Sequence, residues 1–184
     1  MKAIIPVLII ISSFVFGQRG DFFREDITFR LNEGCLDVDG YYWFANSSRV
    51  PVNNEIYYPF AADYGKSIDS IRLYNISAGY LPGWKMEDSG GIYFNLNIPP
   101  GDTVLLQIGY RQKLSGRRAQ YILQTTQGWG KPIDIADYKL VTPDTLNIKY
   151  FSYPPDKSYV IEKKRIYSWE KRRFMPGKDM IFEY

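Results

Sequence analysis

The chain has 184 residues, of which 23 are basic and 20 acidic, and its net charge of +3 is too small to indicate a nucleic-acid partner. It contains no histidine, which excludes Ser-His and Cys-His catalytic pairs and the common zinc sites. The single cysteine, Cys35, has no partner for an internal disulfide, and we expect a small buried apolar side chain rather than a nucleophile.

The N-terminus has the pattern of a cleaved signal peptide. Lys2 supplies a positive charge, and residues 3–16 form an almost continuous apolar run that is too short to span a bilayer. Small or slender side chains, Val15 and Gly17, stand at positions −3 and −1 of a cut before Gln18, as signal peptidase requires. We expect residues 1–17 to be removed and residues 18–184 to form one periplasmic or secreted domain without a transmembrane segment.

The rest of the chain has the pattern of many short β-strands. Sixteen tyrosines and eleven phenylalanines favour strands over helices. Alternating apolar residues predict strands near residues 27–31, 36–44, 55–60, 68–74, 92–98, 104–110 and 121–125, two more within 135–150, and strands at 159–161, 166–169 and 180–182. About ten short strands and almost no helix predict an all-β fold, with an antiparallel two-sheet sandwich as its simplest form.

The turn at residues 99–102 gives the clearest local pattern. Period-2 apolar faces precede and follow its Pro-Pro-Gly-Asp sequence, which predicts a β-hairpin. Two further local predictions concern single side chains. Asn46 should cap a turn after its strand, and Tyr110 should place its ring in the core and its hydroxyl on backbone.

Three aromatic-plus-turn patterns carry a resemblance to a known group of proteins. They are Tyr-Tyr-Trp-Phe-Ala-Asn at 41–46 with Tyr-Tyr-Pro-Phe at 57–60, the stretch from Pro100-Gly101 to Trp-Gly-Lys-Pro at 129–132, and Phe-Met-Pro-Gly-Lys-Asp at 174–179. Together they resemble bacterial exported domains of unknown function with an immunoglobulin-like sandwich. The resemblance implies an immunoglobulin-like fold outside the cytoplasm and supplies no catalytic residues.

Two carboxylate pairs are candidates for acid–base chemistry. Asp37 and Asp39 should share one face of a strand, and Glu87 and Asp88 adjoin a Gly-rich turn. A glycosidase needs two carboxylates about 5–10 Å apart, but neither pair has a distinctive motif, and both are expected to face water. Whether Asp37 and Asp39 bind calcium with loop carbonyls stays open.

Exposed aromatic residues next to turns suggest a second kind of site. Sugar-binding sandwiches stack aromatic rings on pyranoses, and the candidates for ligand binding here are Trp84, Trp129, Tyr80, Asp88 and Lys131, with Trp43 as a further ring. The alternative, which we favour, is that the tryptophans fill the core or the ends of the sandwich.

Basic residues gather near the C-terminus. The group consists of Lys163, Lys164, Arg165, Lys171, Arg172 and Arg173. It is typical either of a patch for an anionic glycan or lipid surface or of a solvated strand and its turn, and the second interpretation is favoured.

These features predict a non-catalytic, exported binding or accessory module for a protein or cell-envelope component, without metal or cofactor. The alternatives are a carbohydrate-binding module, which could also act as a weak carboxylate-dependent glycoside hydrolase, and a purely structural cell-surface piece.

Overall fold

The computed structural model describes residues 20–61, 65–87 and 90–184. The predicted signal peptide, residues 1–17, lies outside these ranges. Within these ranges, no helical segment has the length and hydrophobicity that a membrane span requires.

Thirteen β-strands and one 3₁₀ helix make up the described part of the chain, which confirms the all-β prediction. The helix is Gln124–Trp129. The strands are β1 Asp21–Asn32, β2 Cys35–Ala45, β3 Val52–Pro59, β4 Gly65–Asn75, β5 Trp84–Glu87, β6 Gly91–Ile98, β7 Thr103–Leu114, β8 Arg118–Tyr121, β9 Ile133–Pro143, β10 Tyr150–Phe151, β11 Lys157–Ile161, β12 Lys164–Phe174 and β13 Met180–Glu183.

Seven strands form one large sheet in the order β4-β7-β2-β1-β9-β12-β11. Strand β1 pairs antiparallel with β2 on one side and parallel with β9 on the other, where Arg24 lies opposite Ile135. The prediction of a purely antiparallel sandwich is therefore wrong in this respect. Two parallel strands require a long connection between them. The chain supplies one, because between β1 and β9 it also forms strands of the second layer.

The second layer is divided into two small sheets, β10-β13-β8 and β3-β6-β5. The first covers the β1 side of the large sheet, where the rings of Phe182 and Phe29 lie 5.4 Å apart. The second covers the β2 and β7 side, where the ring centroids of Tyr58 and Tyr42 lie 5.8 Å apart. Alternate apolar side chains of both layers are buried between them, and each such burial stabilises the fold by roughly 1.5–3 kcal/mol.

The predicted hairpin at residues 99–102 is wrong. The tight turn forms, with Gly101 at a φ of 66° and a hydrogen bond from the amide of Asp102 to the carbonyl of Pro99. However, β6 pairs with β3 and β5, whereas β7 pairs with β2 and β4. Both apolar faces are fully buried, so the two strands face each other across the core instead of sharing a sheet.

Asn46 fastens this crossing between the layers. Its side-chain amide donates to the carbonyls of Val50, Ile98 and Pro99 at 2.8, 3.0 and 3.1 Å, and its oxygen accepts from the amide of Ser48. The prediction that Asn46 caps a turn is confirmed.

Tyr110 follows its prediction only in part. The ring is buried, at 1% exposed, and packs 4.7 Å from the ring of Phe60. Its hydroxyl has no hydrogen-bond partner among the described residues, so the predicted bond to backbone is not made.

Candidate functional site

A cavity of about 370 Å³ lies between the layers, where the two small sheets adjoin. Its floor comes from β1 and β2 of the large sheet, and its walls from β3, β5 and the segment that joins β8 to the 3₁₀ helix. Residues at one end are buried, including Phe22, Phe44 and Thr126, whereas Met86 at the other end is half exposed. The cavity therefore opens to solvent beside β5.

Glu25 places a carboxyl group at the buried end of the cavity. Strand β1 has an irregularity at Phe23, since Phe22 lies opposite Phe44 but Arg24 already lies opposite Trp43. This bulge places Phe22 and Glu25 on the same inner face.

The surroundings of Glu25 make its carboxyl unusual. The side chain is 3% exposed and accepts a hydrogen bond from the hydroxyl of Tyr138. Burial raises the pKa of Glu25 to about 7, although the Tyr138 bond acts in the opposite direction. No cation forms an ion pair with it in the described ranges.

Three tyrosine hydroxyls meet beside Glu25. The hydroxyl oxygen of Tyr42 on β2 lies 2.9 Å from the hydroxyl oxygens of both Tyr58 on β3 and Tyr121 on β8. The hydroxyl oxygens of Tyr58 and Tyr121 lie 3.3 Å apart. Burial raises the pKa of each phenol well above its usual value, so all three stay neutral. Gly40 allows this arrangement, because a Cβ at that position would collide with the ring of Tyr42.

The open end of the cavity carries most of its charge. Glu55 and Lys85 are exposed, Glu87 is partly exposed, and all three line this end. With Glu25, the described lining therefore contains three carboxyl groups and one ammonium group. Aromatic walls, a buried carboxyl group and an acidic rim suit a ligand with an apolar body and little negative charge.

The residues predicted for ligand binding do not converge on one site. Trp129 lines the cavity and packs 5.8 Å from Phe22 and 5.6 Å from Phe44. Trp84 and Tyr80 are exposed and are not among the lining residues. Lys131 forms an ion pair with Asp21, and Asp88 lies outside the described residues.

Trp43 is on the outer face of β2 rather than in the cavity. The guanidinium carbon of Arg24 lies 4.5 Å from its ring centroid, which is a cation–π distance.

The basic residues divide into two groups at opposite ends of β12. Lys163 lies in the turn before this strand and Lys164 and Arg165 at its start, whereas Lys171, Arg172 and Arg173 lie near its end. At about 3.3 Å per residue, the two groups are far apart. Lys171 pairs with Asp156 at 2.9 Å and Arg172 with Asp137 at 2.7 Å, so part of this charge is already neutralised.

Asp37 and Asp39 share the outer face of β2, as predicted, and each has a protein partner. Asp37 forms an ion pair with Arg111 at 2.8 Å, and Asp39 accepts from the side-chain amide of Gln107 at 2.9 Å. No group of three side chains suited to a metal ion was found in residues 20–61, 65–87 and 90–184.

Cys35 is partly exposed instead of buried, which corrects its sequence-based prediction. It stands at the first position of β2, directly after the turn that follows β1. Partial burial, with the nearby charge of Asp37, raises the pKa of the thiol and disfavours the reactive thiolate.

Glu25 and the tyrosine cluster were missed by sequence reasoning. A signal existed for Glu25, because it lies in phase with Ile27, Phe29 and Leu31 on the buried face of β1. An acid in phase with an apolar face is an informative exception. The meeting of Tyr42, Tyr58 and Tyr121 depends on three strands from three sheets, and no local pattern predicts it.

Comparison with known proteins shows similarity in fold to solved structures. No family model and no curated protein matches the chain. A Legionella pneumophila protein provisionally named a nutrient binding protein is similar, with a TM-score of 0.67 and 14% identity over 89% of this chain and 66% of the other. An M1 zinc metallopeptidase from Deinococcus radiodurans has a TM-score of 0.53 and 14% identity over 91% of this chain and 43% of its own.

This chain thus spans less than two thirds of the length of either similar structure. At 14% identity the likeness concerns the fold alone. The immunoglobulin-like character implied by the sequence resemblance stays a prediction.

Proposed function

We propose that this chain is a non-catalytic binding module that accepts a small, mainly apolar organic ligand in the aromatic cavity between its layers. The cavity carries the proposal: its volume of about 370 Å³ falls in the range of small-molecule sites. Its walls are aromatic, and polar groups at its buried end are few and fixed by hydrogen bonds.

A test uses small aromatic probes and a variant that fills the cavity. Calorimetric titration of the purified protein with 2-phenylethanol, 2-phenylethylamine and indole should show one saturable site for at least one probe. Thr126→Phe adds a ring at a buried lining position and should abolish that binding. The matched control is Thr145→Phe, because Thr145 is exposed and away from the cavity. No binding of any probe at millimolar concentration would contradict the proposal.

Carbohydrate binding or hydrolysis is the second candidate, and one observation favours it. A carboxyl group with a raised pKa is what a glycosidase needs as its general acid. Against it, a sugar offers many hydroxyls, whereas the tyrosine hydroxyls of this cavity already bond to one another. Retention on immobilised glycans that is lost in both Trp84→Ala and Trp129→Ala would favour the sugar hypothesis, and release of nitrophenol from aryl glycosides would indicate hydrolysis.

We also propose that the module works outside the cytoplasm, on the basis of the N-terminal sequence. Expression of the full chain in a bacterial host should yield periplasmic protein that begins at Gln18. N-terminal sequencing after cell fractionation checks this, and intact Met1 on cytosolic protein would refute it. A protein or cell-envelope partner, predicted from the sequence, stays a prediction.

A further inference from the structure

The cavity contains a buried carboxyl group that has no positive partner. Glu25 accepts a hydrogen bond from Tyr138, yet none of the described lysines or arginines pairs with it. Placing an ionised carboxylate away from water is costly unless a cation or several donors accompany it. The protein alone resolves this by favouring the protonated form.

Neighbouring side chains do not supply the missing charge. The titratable groups around Glu25 are neutral phenols from four strands: Tyr42 on β2, Tyr58 on β3 and Tyr121 on β8, which line the cavity, and Tyr138 on β9, which bonds to Glu25 directly. At the rim, Lys85 is outnumbered by Glu55 and Glu87. The electrostatic potential inside the cavity is therefore neutral to negative.

Aromatic faces surround the same space. Phe22, Phe44 and Trp129 contact one another at ring distances of 5.1–5.8 Å and line the cavity. Ring faces attract cations through their quadrupole, and the attraction is stronger where water is excluded. An aromatic enclosure with one carboxylate is the surrounding that a substituted ammonium group requires.

We propose that the cavity selects ligands that join an apolar body to an ammonium group, with Glu25 as the receptor of that group. This rests on the proposed function, because it names the ligand class of the same cavity. On binding, the ammonium group donates a hydrogen bond to the Glu25 carboxylate. Where Glu25 still holds its proton in the empty cavity, below about pH 7, that proton leaves to solvent on binding, so charge and protons balance.

The experiment compares three probes that differ in one group. Titration calorimetry at pH 8 measures 2-phenylethylamine, 2-phenylethanol and phenylacetate, which carry an ammonium, a hydroxyl and a carboxylate group. The amine should bind at least about tenfold more tightly than the alcohol, as expected for a charge-assisted bond. Phenylacetate should bind most weakly, because it would meet Glu25 and the acidic rim.

The pH dependence gives a second readout from the unaltered protein. With a pKa near 7, Glu25 is about 1% ionised at pH 5, so amine affinity should fall about a hundredfold between pH 8 and pH 5. Affinity for the alcohol should change less than about twofold.

Glu25→Gln keeps the shape of the side chain and removes its charge, so it should remove both the preference for the amine and its pH dependence. The matched control is Glu33→Gln in the exposed turn between β1 and β2, which should leave both unchanged. Equal affinity for amine and alcohol, or tighter binding of phenylacetate, would overturn the assignment of the ligand class while leaving the binding module intact. Failure of all three probes would remove the proposed function itself.

Discussion

The carboxyl group of Glu25 should make the stability of the whole protein depend on pH. Its pKa is raised from 4.5 to about 7 in the folded state, so below about pH 4.5 the group is neutral in both states and stability is full. As the pH rises from 4.5 through 7, the unfolded chain loses its proton first and stability falls. The total loss is roughly 3 kcal/mol and is complete above pH 8.

Glu25→Gln should abolish this loss, because the amide stays neutral at every pH and still accepts from Tyr138. We expect thermal denaturation of the variant to show a melting temperature several degrees above that of the parent at pH 8, and a smaller difference at pH 5. Glu33→Gln is the exposed control. An unchanged fall in stability between pH 5 and pH 8 in Glu25→Gln would assign the effect to another group.

The sequence predicts only some of the individual residues that the inner face of β1 buries. Alternation predicted the buried face of Ile27, Phe29 and Leu31 correctly. The alternation does not identify Glu25, because the alternating apolar residues of β1 begin only at Ile27. The bulge at Phe23 then shifts the alternation, so Phe22 joins the inner face, where strict period 2 would place Phe23.

Among the elements, the crossing from β6 to β7 depends on one side chain. Asn46→Ala would leave the carbonyls of Val50, Ile98 and Pro99 without their side-chain donor in a buried site. We expect a loss of about 2 kcal/mol, because unpaired buried polar groups are costly. Urea denaturation measures it, and Asn95→Ala on the exposed face of β6 is the control, with a change below about 0.5 kcal/mol. Equal effects of the two substitutions would contradict this role.

The β11–β12 turn is strained in a way that substitution can relieve. Its two residues, Glu162 and Lys163, have φ values of 49° and 60°, a region that favours Asn and Gly. The double change Glu162→Asn and Lys163→Gly should stabilise the protein by about 1 kcal/mol, and raise its melting temperature by about 2–4 °C. The control, Glu162→Asn alone, should give a smaller gain, and a lower melting temperature for the double variant would show that the native side chains stabilise the turn.

Strand positions were predicted better than strand partners. The period-2 runs at 92–98 and 104–110 are strands in the structure, yet the hairpin expected between them does not form. A turn sequence specifies a local reversal, but whether the strands then share a sheet or face each other depends on what covers them. Nothing in the local sequence says that Ile98 and Val104 face a common core from opposite layers.

Taken as a whole, the molecule should unfold in one step, because the large sheet joins both small ones to a common core. Trp43 lies on β2 and Trp169 on β12, so tryptophan fluorescence reports both sides of β1. Its thermal transition should coincide with that of the far-ultraviolet circular dichroism within about 2 °C. Two separated transitions would contradict the single domain predicted for residues 18–184.

The central place of β1 also governs how fast the chain can reach its native state. Strand β1 can pair with β9 only late, because Arg24 and Ile135 are separated by most of the polypeptide. Contacts between such distant segments slow folding. Until β9 arrives, one long edge of β1 remains open to other chains, so a holdase chaperone should raise the yield of refolding from urea more than a change of temperature does.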